Sequence, residues 1–284
     1  MVPGAQVGVV SVHISIRRGL VAAAALALAS TALASSALAQ QARPALAASS
    51  TASEDERLMA LFHDDQQRTD ALDPLARVYR GGDADPQVLR RLYTDELTRA
   101  RRDAVQQSLA ALTAIDRRKL SAERQISYDV FLTAKRGEAM WLTPDMQALV
   151  AVRPFTHFGG LHVEFPALVA RGGPLSYADE ADYRDNLELL HAFPQVLDNA
   201  TRQFRTGMDT GVVETRLTTR NMIAQIDALL AQPVEQSPFW SPVAEFPAGV
   251  PEDRRAALRA AWHAAIVDEV LPAYRRFRAF LAGE

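Results

Sequence analysis

The chain has no cysteine among its 284 residues. That excludes disulfides, thiolate zinc sites, a cysteine nucleophile and a lipid-modified N-terminal cysteine. Lysine is almost missing as well: Lys119 and Lys135 stand alone among many arginines. With so much alanine beside it, this bias reads as a GC-rich coding preference rather than selection for guanidinium chemistry. Neither sign of charge dominates. Lys and Arg number 31 against 34 Asp and Glu, a net charge of −3 that gives no argument for a nucleic-acid or anionic-membrane partner. The sequence also lacks H-E-x-x-H, G-x-S-x-G, a phosphate-binding loop and a dinucleotide-binding glycine pattern. What remains is 48% hydrophobic and 23% charged, an ordinary globular profile that excludes collagen-like, purely coiled-coil and mostly disordered chains.

The N-terminus reads as targeting. Arg17 and Arg18 precede an apolar run from Leu20 to Ala29, and Ala37-Leu38-Ala39 supplies small residues at the positions of a cleavage site. Residues 1–39 are therefore expected to be a secretory signal peptide cut before Gln40, which places the protein in the periplasm or outside the cell. Leu20 to Ala39 would just reach across a bilayer at about 20 residues. It is mostly Ala, Ser and Thr after Ala29, and no charged stop-transfer cluster follows, so no stable membrane anchor is expected. Removing two of the 31 basic residues leaves 29 against 34 acidic ones, a net of −5. Residues 40–53 are Ala/Ser/Gln-rich without periodicity and read as a disordered linker, leaving 54–284 as the folded domain.

That domain reads as all-α, built from long antiparallel amphipathic helices. Glu54 to Leu72 carries apolar residues at helical spacing behind an acidic first turn. Pro86 opens an apolar series running to Ile115, which predicts one helix of about seven to eight turns. Ser121 caps a third, ending near Trp141. Asp179 to Arg205 follows, with a kink expected at Pro194 and an end at Gly207 or Gly211. Thr219 to Ala231 is shorter. Pro251 opens the last helix, with a kink expected at Pro272.

Residues 143–175 break the pattern, with four separate prolines, Gly159-Gly160 and Gly172-Gly173. They predict one long irregular loop with a short strand at Ala148 to Val152. A loop of this length in a helical domain is functional or a lid. It holds His157, His162 and Glu164, and Gly160, His162 and Glu164 are the candidate binding residues of a cleft loop. Two histidines at i, i+5 match no recurrent metal geometry, so no metal site and no cofactor are expected in this chain. His162 is expected to hydrogen-bond loop backbone. His63, Asp64 and Asp65 read as a solvated helix face, since adjacent helical residues point apart. His191 and His263 read as core-edge residues.

Several segments together resemble the N-terminal half of the exported family catalogued as "domain of unknown function 885". They are Leu120-Ser-Ala-Glu-Arg-Gln-Ile-Ser-Tyr-Asp129, Gly159-Gly-Leu-His-Val-Glu-Phe-Pro166, Ala192-Phe-Pro194, Ile226-Asp-Ala-Leu-Leu-Ala231, Ser237-Pro-Phe239 and Val270-Leu-Pro272. The resemblance implies a helical, gluzincin-like zinc metallopeptidase of about twice this length. It also implies that the metal motif, a His-Glu followed closely by Pro-Gly-His-His, lies in the C-terminal half together with a downstream Glu-Gly-Trp. Neither occurs here. Zinc then belongs to a full-length homologue, no catalytic residue carries over, and this chain is expected to be inactive alone. On that reading Leu258, Trp262, Ile266, Val270, Phe277 and Phe280 should be partly exposed. They would await a missing C-terminal half or drive self-association through the last helix. The alternative is a self-sufficient periplasmic helical binding or interaction module, which would bury them.

Overall fold

The computed structural model describes residues 52–283. Among them every long element is helical, as the periodicity predicts. The targeting segment and nearly all of the linker lie outside the described residues. No described helix is long and apolar enough to cross a membrane.

Capping chemistry sets most of the boundaries. Helix α1, Glu54–Asp70, starts in a capping box: the Glu56 amide donates to Ser53 Oγ at 3.2 Å and the Ser53 amide to Glu56 Oε2 at 2.7 Å. The series from Pro86 to Ile115 is two helices, α2 (Pro86–Arg90) and α3 (Asp95–Thr113). The expected single helix breaks because Thr94 caps α3 and Tyr93 turns to a φ of 62°. The turn is braced from a distant helix. Asn199, 1% exposed, donates from Nδ2 to the carbonyls of Arg90 (2.9 Å) and Leu92 (2.7 Å), and Gln203 donates to that of Tyr93.

Helix α4, Ala122–Trp141, follows Ser121 as expected. The long loop predicted over 143–175 is corrected by two short helices, α5 (Pro144–Val150) and α6 (Leu161–Val169). The strand expected at Ala148 to Val152 is α5 instead. Thr143 accepts from the Met146 amide and Pro144 fills the first helical position, a start signal that outweighs β-branched propensity over so few residues.

Helix α7, Glu180–Thr210, is the central element and ends on Gly211, whose φ of 78° only glycine adopts freely. Helix α8, Arg216–Leu230, starts at a Thr215 cap, three residues before the expected start. After the short α9 (Ser241–Ala244), α10 (Glu252–Ala264) passes through a π-helical segment, Ala265–Val270, into α11 (Leu271–Gly283). Pro272 accounts for the π segment. Its ring would clash with a carbonyl of a regular α-helix, and the wider turn just before it makes the room.

Two cores result. The larger surrounds α7, where the Phe165 and Phe193 rings stack at 3.9 Å and Trp262 and Tyr274 are fully buried. The smaller joins α1, α3 and α4 through Leu58, Leu61, Leu112, Ile115 and Leu120. The exposure expected along the last helix is not found. Trp262, Ile266 and Val270 are 0% exposed and Leu258, Phe277 and Phe280 at most 8%, because α7 and α8 of the same chain pack over them.

Candidate functional site

Gly160, His162 and Glu164 come together at the start of α6. Gly160 has a φ of 130°, and a Cβ there would stand 2.6 Å from the Phe155 ring, so glycine is required twice over. Glu164 Oε1 accepts the Gly160 amide at 3.0 Å and closes the turn. Its side chain lines a cavity of about 330 Å³ with Tyr79, Leu161 and Pro174.

The imidazole of His162 is 2% exposed and stacks on Phe155 at 5.0 Å. The backbone bonding expected of it is corrected: neither ring nitrogen has a hydrogen-bond partner among the described residues. Only its carbonyl is bonded, by the Tyr274 hydroxyl at 2.9 Å. Burial depresses the imidazole pKa to about 4, and the nearby Glu164 charge opposes this without offsetting it. The Gln225 amide donates to the His157 carbonyl at 2.9 Å rather than to the imidazole. Among the described residues no group of three His, Asp or Glu is placed to hold a metal ion.

A second polar site lies between α1, α3 and α4. Lys135, 5% exposed, donates from Nζ to Asp65 at 2.8 Å and to Glu138 at 2.9 Å. Asp65 also accepts from the Ser108 hydroxyl at 2.6 Å, and Arg68 donates to Ser108 at 3.1 Å. Desolvation disfavours the ammonium, but the two carboxylates outweigh it and the pKa of Lys135 is raised. The bridge borders a cavity of about 430 Å³ walled by Leu72, Val105 and Trp141. Thus Asp65 is not on a solvated face. The three residues from His63 point apart as expected, but α4 covers the side that holds Asp65. The one available signal was the lysine itself, in a chain with only one other lysine, Lys119, among many arginines.

The other face of α4 is left uncovered by the described residues. Ile126, Val130 and Trp141 are 67%, 64% and 51% exposed. With Ala134 and Gly137 they fall at i, i+4, i+8, i+11 and i+15, one stripe along the helix. A Cβ at Gly137 would meet nothing within 4 Å. Met140, also on α4, and Leu149, on α5, are exposed as well, at 54% and 49%. Elsewhere, His191 Nδ1 lies 2.8 Å from Glu269 Oε1, tying α7 to the π-helical segment.

Comparison with known proteins places this geometry in context. A family model described as "Bacterial protein of unknown function (DUF885)" matches residues 74–284. A solved structure described as "The crystal structure of the putative lipoprotein from Colwellia psychrerythraea" aligns with a TM-score of 0.64 at 14% identity, covering 81% of this chain and 41% of that one. At that identity the likeness shows the fold alone, and this chain spans about two-fifths of the length of the structure it matches. No curated protein matches the chain in sequence.

Proposed function

This chain belongs to DUF885, a family of bacterial proteins of unknown function, and from that premise we propose that it is the helical N-terminal wall of a larger exported, metallohydrolase-like fold. Alone it is non-catalytic. The observation that carries this reading is the bare stripe on α4. A helix that buries a lysine bridge on one side and leaves Ile126, Val130 and Trp141 in water on the other is shaped to be covered. The remainder of the fold is its proposed occupant, because more than half of the matched structure lies outside the region that this chain covers. Export rests on the Arg17-Arg18 and apolar segment, and on the description of the matched protein as a lipoprotein.

Zinc would be held by the complementary part, where it would activate water for attack on a carbonyl. Purified chain loaded with excess zinc, then dialysed, should retain less than about one-tenth of an equivalent by elemental analysis, since stable sites need three or four ligands. It should also leave a casein substrate intact. Retention of one zinc per chain with proteolysis would overturn the reading.

One observation favours the second reading, a self-sufficient binding module. The last helix is sealed within the chain, so the larger core needs no further segment to close it.

A further inference from the structure

We propose that the groove between the end of α7, the start of α8 and the end of α11 is a binding site for a free amphipathic carboxylate, an acyl chain with an anionic head. The groove has a volume of about 670 Å³, within the roughly 300–1,000 Å³ usual for small-molecule sites. Its floor is apolar: Phe204, Met222, Ile223, Phe280 and Leu281 line it, and Met208 and Val213 extend the apolar surface at 40% and 54% exposure. The flexible thioethers of Met208 and Met222 adapt readily to a hydrocarbon tail.

The charges around it are out of balance. Arg216, Arg220 and Arg278 line the groove against the single carboxylate Glu214. Arg278 is already neutralised, donating from Nε and Nη2 to Asp227 at 2.8 and 3.0 Å. Arg216 and Arg220 have no ion-pair or hydrogen-bond partner among the described residues. They sit four residues apart on one face of α8, where like charges repel. They also occupy its first turns, the end of a helix that disfavours cations, and no acidic residue stands in that first turn. Each of these placements costs stability in the empty chain, and an anion seated between the two guanidiniums reverses both. In a protein whose net charge is −3, a pair of unpaired arginines at the rim of an apolar groove selects a carboxylate head on an apolar tail.

The test is calorimetric titration of the full chain with laurate below its micelle concentration. One laurate should bind per chain. Dodecanol, which keeps the tail and loses the charge, should bind at least about tenfold more weakly, as should laurate to the Arg216→Gln/Arg220→Gln variant. Both arginines are exposed, so the substitutions leave the core untouched. A variant that still melts like wild type but binds laurate equally well would overturn the proposal, as would equal affinity for dodecanol. Absence of laurate binding together with co-sedimentation on phosphatidylglycerol vesicles would overturn it too, by assigning the arginines to a lipid surface. So would a dimer, disrupted by the same variant, that takes up no laurate.

Discussion

Lys135→Ala should destabilise the chain by about 3 kcal/mol, the low end of the range for removing one partner of a buried ion pair. The low end applies because Glu138 is about half exposed and a cavity adjoins the bridge. Asp65, whose side chain is 14% exposed, would lose its ammonium and keep only the Ser108 hydroxyl. Thermal unfolding should fall by about 6–12 °C for a domain of this size. Restoring the volume and removing the orphaned charge together, in Lys135→Met with Asp65→Asn, should recover most of the loss, because the Asn carbonyl still accepts from Ser108. The pH dependence has a definite sign. The pKa of Lys135 is raised in the fold, so the stabilisation is fully present below the ordinary lysine value of 10.5 and is lost only as pH climbs through the higher folded value. Wild type and Lys135→Ala should therefore differ by a constant amount from neutrality to about pH 10 in urea unfolding. No gap at neutral pH would show that the bridge contributes nothing, and a gap that closes well below pH 10 would show that the pKa of Lys135 is not raised.

His162→Phe should change the acid stability of the protein by a similar amount. The imidazole titrates near 4 in the fold against an ordinary 6.5, so the unfolded chain binds the proton first. Stability then falls as pH drops from 6.5 to 4, by about 3 kcal/mol over the window at 1.36 kcal/mol per pH unit. Phenylalanine keeps the ring against Phe155 and Phe277, and Tyr274 still donates to the backbone carbonyl of residue 162. At pH 7 the variant should stay within about 1.5 kcal/mol of wild type, because removing two unpartnered buried nitrogens offsets the overpacking by the larger phenyl ring. Towards pH 4 it should become the more stable of the two. Carboxylate titrations are common to both proteins and cancel in the difference. A difference that stays flat between pH 7 and pH 4 would mean that His162 is protonated or solvated in the fold.

How far the sequence carried the structure depends on the range of the interaction that decides each element. Local signals were reliable: Pro86 at a first helical turn, the Ser121 cap, Gly211 after α7 and Pro251 before α10 all stand where residue chemistry puts them. Features decided by distant partners were not legible. The break at Tyr93 is held by Asn199 and Gln203, more than a hundred residues away. The prolines and glycines of 143–175 are dense enough to suggest a continuous loop, yet two short helices form among them, with Pro144 opening α5 and Pro166 lying within α6. The last helix looked bare because its apolar face was read without the faces of α7 and α8 that meet it. On α4 the reverse happened, and apolar residues that periodicity assigns to a core stand in solvent. Of the candidate site, Gly160, His162 and Glu164 stood out only as residues of an unusual segment; that Glu164 closes a turn onto the Gly160 amide is visible in the structure alone. The Lys135 bridge was not legible, since nothing local says that α1 and α4 meet there.

The central claim is that the α4 stripe is a face made to be covered. Sedimentation velocity on the purified chain, across a range of concentrations, tests it most directly. With the stripe uncovered, the wild-type chain should self-associate reversibly as concentration rises. Val130→Glu, a substitution at a position 64% exposed, should abolish that association without lowering the melting temperature. A wild-type chain that sediments as a monomer at every concentration would contradict the account and leave the self-sufficient module as its replacement.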